Sequence, residues 1–265
     1  MKTIFITGAS TGLGKSTAKL FQSRGWNVIA TMRNPESETE LTALENVTVL
    51  PLDVTNIEQI QSTVTKAIES YDIDVVFNNA GYGLIGPLEA LKDEQIVKQL
   101  DTNLLGVIRV TQAFIPYFRE KGKGTFITTT SIGGLIAFPL GSTYHATKWA
   151  LEGWSESLAF ELNAFGIDVK TVSPGGIKTD FVSRSLDSAS SPAYDGMVNT
   201  LFSKMEGMMD AASAPEVIAE VVYEAATDGK NQLRYVAGED AKALYAQRLE
   251  LGDEAFRQQF GKQFM

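Results

Sequence analysis

The sequence predicts an α/β protein built on a doubly wound parallel sheet, and three observations carry that expectation. Short runs of β-branched and aromatic residues alternate with helix-length amphipathic stretches over most of the chain. The first run ends in a glycine-rich turn, Gly8-Ala9-Ser10-Thr11-Gly12-Leu13-Gly14, where a strand would feed a helix. No internal repeat or long linker divides the 265 residues, so a single domain spanning 1–265 is expected.

The elements follow in order. Residues 2–7 read as a buried strand, followed by a helix from near Gly12 to Gly25, a suitable C-cap. Asn27 to Thr31 reads as the second strand, Val47 to Leu50 as the third, 56–70 as a helix, and Asp74 to Phe77 as the fourth strand. A long helical pattern covers about 93–120, strands recur at 124–130 and 167–173, and a helix fills about 142–164 between them. Residues 178–213 break the rhythm: they are serine-rich and hold Met197, Met205, Met208 and Met209, where a short strand-to-helix connection would suffice. Long connections of this kind in α/β domains commonly serve as lids. Beyond residue 238 the chain looks helical and charged, a surface C-terminal helix.

Composition removes several function classes. The sequence contains no cysteine, which excludes disulfides, zinc–thiolate sites and a cysteine nucleophile. The net charge of −9 argues against a phosphate-tracking surface, so no nucleic-acid partner is expected. The apolar run before Gly8 is too short for a signal peptide and no later run has membrane-spanning length, so a cytoplasmic protein without a membrane partner is expected. No metal site is expected either.

The glycine-rich stretch satisfies three patterns at once. Gly8 to Gly12 is G-x-S-x-G, which would make Ser10 a hydrolase nucleophile, but that chemistry needs a histidine base and the chain has only His145. Ala9 to Ser16 is one glycine short of an NTPase P-loop with Lys15 as its lysine, and that reading needs a magnesium-holding carboxylate such as Asp53, behind the awkward Pro51. The dinucleotide reading asks Gly8 to turn the chain, Gly12 to admit a pyrophosphate and Gly14 to let the helix pack close to the sheet. Independent features downstream agree with it. Asn78-Asn79-Ala80-Gly81 closes the fourth strand, at the sheet edge where ligands bind in such folds. Tyr144 and Lys148 stand four apart on one helix face, and Ser131 ends the fifth strand thirteen residues before Tyr144.

With these residues in view, the chain resembles the short-chain dehydrogenase/reductase family over nearly its whole length. The likeness is carried by Thr7 to Gly14, Leu52-Asp53-Val54-Thr55, Asn78 to Gly81, Asn103, Ser131, Tyr144-His145-Ala146-Thr147-Lys148 and Pro174-Gly175. It is nearest the NADP-dependent carbonyl, hydroxysteroid and retinol-type reductases, through Ala30 to Pro35. The resemblance implies a Rossmann fold and a catalytic set of Asn103, Ser131, Tyr144 and Lys148. Tyr144 would carry the proton, Ser131 hold the substrate oxygen, Lys148 lower the Tyr144 pKa and bind the nicotinamide ribose, and Asn103 anchor a water. It implies cofactor contacts at Gly8, Ser10, Thr11, Gly12, Leu13, Gly14, Asp53, Val54, Asn79, Ala80, Gly81, Tyr144, Lys148, Pro174, Gly175, Ile177 and Thr179.

Two features shape specificity. NAD sites place a carboxylate at the end of the second strand, whereas here that position is read as Thr31, with Arg33 two residues on to clamp a 2′-phosphate, so NADP(H) is the expected cofactor. An apolar pocket is expected from Ile132, Leu135, Phe138, Tyr82 and Leu84, with Met197, Leu201, Met205 and Met208 at helical spacing, and Phe181, Leu186, Tyr194 and Phe202, from the lid. The expected partner is thus a hydrophobic ketone, aldehyde or secondary alcohol, with a non-catalytic NADP(H)-sensing protein as the alternative. His145 reads as structural, and helices 93–120 and 142–164 are the faces on which family members form homo-oligomers.

Overall fold

A computed structural model describes residues 1–179, 185–210 and 212–264, without the side chains of residues 205, 206 and 208–210. Seven strands form one parallel sheet: Thr3–Ile6 (β1), Asn27–Met32 (β2), Val47–Pro51 (β3), Val75–Asn78 (β4), Gly124–Thr129 (β6), Ile167–Pro174 (β7) and Arg234–Ala237 (β9). A separate parallel pair joins Gly83–Ile85 (β5) to Leu186–Ser188 (β8). The main order is β3-β2-β1-β4-β6-β7-β9, so the winding direction reverses between β1 and β4. In doubly wound sheets the crevice opens at that reversal, outside the carboxyl ends of the strands.

Nine α-helices accompany them among the described residues: Gly12–Ser23 (α1), Ile57–Ser70 (α2), Asp93–Leu100 (α3), Gly106–Lys121 (α4), Ser142–Leu162 (α5), Asp195–Asp210 (α6), Pro215–Thr227 (α7), Glu239–Leu251 (α8) and Asp253–Gly261 (α9). Alternate residues of β1 point to opposite faces, so Ile4 and Ile6 pack under α1 and α7 while Phe5 packs with α2 and α4. Both faces are covered, which is why the strand is apolar throughout instead of alternating. Asn56 caps α2 by accepting the Gln59 N–H at 3.0 Å. Pro51 is tolerated because β3 lies at the sheet edge.

The doubly wound parallel α/β fold is as expected, with three local differences. The long helix over 93–120 is two helices joined by a π-helical turn at Asp101–Leu105. The sheet gains β9, and the β5–β8 pair ties the segment before α6 to the loop after β4. The C-terminal region is not merely a surface appendage: Phe256, Phe260 and Phe264 are buried against Ile85, Ile132 and Ile136. Phe256 and Phe260, four apart, share one face of α9, and Phe264 follows in the 3-10 turn Lys262–Phe264.

Candidate active site

The carboxyl ends of the central strands open onto a cleft of about 1030 Å³. Of the residues expected to bind cofactor or act on substrate, all line this cleft except Gly14 and Asn103, which stand behind its wall. Gly14 is the closest approach in the glycine loop: a Cβ there would lie 2.3 Å from the Gly8 carbonyl oxygen and 2.6 Å from Asn79 Nδ2. Gly8 itself has φ +67°, and a Cβ on it would come within 2.8 Å of the Ala80 backbone. The Asn79 amide locks the arrangement by donating to the Thr7 and Gly8 carbonyls at 3.2 and 3.0 Å.

This cradle suits a dinucleotide. No side chain caps the N-terminus of α1 and no acidic residue occupies its first turn, so its first N–H groups and positive dipole end are left for an anion. Lys15 does not serve as a P-loop lysine: it forms ion pairs with Glu40 at 2.8 Å and Glu38 at 3.2 Å, away from the cleft. At the far end, Asp53 accepts the Thr55 N–H and hydroxyl at 2.9 and 2.8 Å, and Asp53 and Val54 line the wall.

The end of β2 requires a correction. Thr31 is fully buried and its hydroxyl donates to the Ile6 carbonyl at 2.9 Å, so it faces β1 and not the cleft. Met32 and the exposed Arg33 line the cleft instead. The position where a carboxylate would meet a ribose is therefore Met32.

Ser131 lies just past β6, at the cap of a 3-10 turn, where its Oγ accepts the Gly133 N–H at 2.9 Å. Tyr144 and Lys148 project from the first half of α5 into the same cleft. Burial raises the Tyr144 phenol above its ordinary range, and a hydrogen bond with Ser131 pulls it part of the way back. Desolvation is the larger of these two effects, so the net shift of the phenol is upward. Burial also lowers the Lys148 ammonium to about 8, opposed by Glu152 one turn along α5. Lys148 Nζ donates to the Thr129 carbonyl at 2.9 Å and sits 5.8 Å from the centre of the Tyr144 ring.

Asn103 lies in the π turn and is buried; its Oδ1 accepts the Tyr82 N–H at 3.0 Å and its Nδ2 donates to the Tyr82 carbonyl at 2.8 Å. Both polar groups of the side chain thus hold the segment after β4. The turn Pro174-Gly175-Gly176 is held from beneath by Asp240, which accepts the Gly176 N–H at 2.7 Å. A Cβ on Gly175 would meet that carboxylate at 2.2 Å.

The substrate end is apolar but differs in composition from the expectation. Tyr82, Ile132, Phe138, Leu186 and Leu201 line it as expected. Leu84 and Leu135 are buried in the core beside it, while Met197, Tyr194 and the exposed Phe202 are not on the cleft wall. Phe181 lies outside the described residues, as do the side chains of Met205, Met208 and Met209. Sequence reasoning missed Ile85, Ile136, Leu244, Phe260 and Phe264, which complete the wall. Only the C-terminal phenylalanines carried a readable signal, their spacing of four.

The family model for short chain dehydrogenase matches residues 2–189. Human 17-beta-hydroxysteroid dehydrogenase type 1 is 32% identical over 265 residues, covering 93% of this chain and 80% of that one. A short-chain dehydrogenase from Streptomyces avermitilis superimposes with a TM-score of 0.86 at 31% identity, covering 94% of this chain and 92% of that chain. A short chain dehydrogenase from Burkholderia cenocepacia in complex with NADP does so with a TM-score of 0.78 at 26% identity, covering 98% of each chain.

Proposed function

This chain belongs to the short-chain dehydrogenase family of oxidoreductases, and on that premise we propose that it works as one catalytic domain moving a hydride between NADP(H) and a hydrophobic ketone, aldehyde or secondary alcohol. The observation that carries the reading is the meeting of Ser131, Tyr144 and Lys148 in one cleft with the open N-terminus of α1. The NADP in the Burkholderia relative supports the choice of cofactor, as do Arg33 and the absence of a carboxylate at Met32.

Bound NADPH supplies the hydride. In the reductive direction Tyr144 is protonated at neutral pH, because burial holds its phenol above the ordinary range, and it gives that proton to the substrate oxygen. The Ser131 hydroxyl donates to the same oxygen and fixes the carbonyl against the phenol. Lys148 keeps a positive charge next to the phenol at neutral pH, so the phenolate left after proton transfer is stabilised. It would also hold the ribose hydroxyls of the cofactor. Asn103 holds the Tyr82 backbone, next to Ala80 and Gly81, which would meet the cofactor. Ile85, Ile132, Phe138, Phe260 and Phe264 exclude water and select an apolar substrate.

The test follows the loss of NADPH absorbance with a panel of aromatic and aliphatic ketones, with ATP hydrolysis measured alongside. Ketone-dependent oxidation of NADPH without ATP hydrolysis is expected. NADPH binding with no turnover on any carbonyl or alcohol would favour the sensing alternative.

A further inference from the structure

His145 follows Tyr144 on α5 and is the only histidine in the chain. It is buried, and both ring nitrogens are engaged by one stretch of backbone. Nε2 accepts the Phe138 N–H at 3.1 Å, which leaves Nδ1 as the protonated nitrogen, donating to the Gly133 carbonyl at 2.6 Å. The ring also meets Phe138 edge-on, 4.2 Å between centroids. A side chain at Gly133 or Gly141 would press on the imidazole, with a Cβ 3.2 Å from its nearest ring atom at either position.

The stretch so held runs from Gly133 to Phe138. At one end, Gly133 donates its N–H to Ser131 Oγ, so the residue that orients the Ser131 hydroxyl is itself held by the imidazole. Along it, Ile136 and Phe138, with Ile132 just before it, form one wall of the substrate end. A buried imidazole needs partners for both nitrogens, and here both partners lie in the one segment between Ser131 and that wall. Resting on the reductase reading above, we propose that His145 is a positioning residue for substrate selection: it ties the Gly133–Phe138 segment to the helix bearing Tyr144, and so sets the width of the apolar pocket and the direction of the Ser131 hydroxyl. It touches no reacting atom.

The test compares His145→Phe, which keeps an aromatic ring and removes both bonds, with His145→Gln, whose amide offers one donor and one acceptor at about the spacing of the two ring nitrogens. Three quantities are read: kcat/KM for a bulky and a small ketone, NADPH affinity by fluorescence titration, and amide hydrogen exchange over 132–138. For His145→Phe the bulky-to-small preference should change by roughly tenfold, with NADPH affinity unchanged and exchange accelerated in 132–138 but not in β6 or β7. His145→Gln should restore most of the preference. Should His145→Phe fail to fold, His145→Ala carries the same comparison without added bulk. An unchanged preference, or an equal loss for every ketone together with a lower melting temperature, overturns the proposal. A wild-type protein that oxidises NADPH with no ketone refutes the reductase reading instead; unaltered exchange over 132–138 then overturns the positioning role independently of turnover.

Discussion

Replacing Lys148 by methionine should make the protein more stable while removing most of its activity. The ammonium is buried and its pKa falls from 10.5 to about 8. At about 1.4 kcal/mol per pH unit, holding it charged at neutral pH costs the fold about 3 kcal/mol. Methionine fills similar space without charge but gives up the bond to the Thr129 carbonyl, whose unmet acceptor costs about 1–2 kcal/mol. The balance favours Lys148→Met by about 1–2 kcal/mol, or roughly 3–6 °C in a chain of this size. The sign with pH follows from the depressed pKa. Between pH 8 and 10.5 the unfolded chain binds the proton and the folded one does not, so wild-type stability gains as pH rises through that window. The variant lacks this gain, and its advantage should be full below pH 8 and shrink toward pH 9.5. Thermal unfolding of both proteins at pH 7 and pH 9.5, without cofactor, measures it, with NADPH oxidation followed in parallel. A Lys148→Met protein that melts below wild type at pH 7 would refute the claim that the buried ammonium is held at a net cost.

Wild type should prefer NADPH over NADH in kcat/KM, and Met32→Asp with Arg33→Ala should lower the NADPH value by about 10–100-fold, the loss expected for a charge-assisted phosphate contact. Thr31→Asp should instead destabilise, since a carboxylate there would be buried against β1, and an unaltered melting temperature would contradict that placement. Phe264→Ala should open the substrate end and shift relative kcat/KM toward bulkier ketones by about tenfold, which a ketone series measures. Gly175→Ala, whose Cβ would collide with Asp240, should weaken NADPH binding more than it lowers the melting temperature, read by fluorescence titration and calorimetry.

The sheet was legible because β1 and β4 are apolar runs closed by glycine or asparagine, and a parallel strand covered on both faces needs that composition. That same property hid the phase of β2. The polar Thr31 marks no outer face, because its hydroxyl is satisfied inside the sheet by the Ile6 carbonyl, so nothing in Ala30-Thr31-Met32-Arg33 told which side chain would turn to the cleft. The meeting of Ser131, Tyr144 and Lys148 in one cleft was legible because their spacing is set by one strand end and one helical turn. The rest of the pocket wall was not, because it comes from elements far apart in sequence. Gly83–Ile85 and Leu186–Ser188 are three-residue strands that exist only by pairing with each other. The aromatic face of Phe256, Phe260 and Phe264 acquires its meaning only when the C-terminal helices fold back over Ile85 and Ile136.

The most direct test of the central claim is the Tyr144→Phe protein, assayed for NADPH binding and for single-turnover oxidation of bound NADPH by a ketone that the wild type reduces. The ring and its packing remain and only the proton is lost, so NADPH affinity should match wild type while the rate falls by about 10²–10⁴-fold. A Tyr144→Phe protein that oxidises NADPH at the wild-type rate would remove Tyr144 from the chemistry and contradict the account.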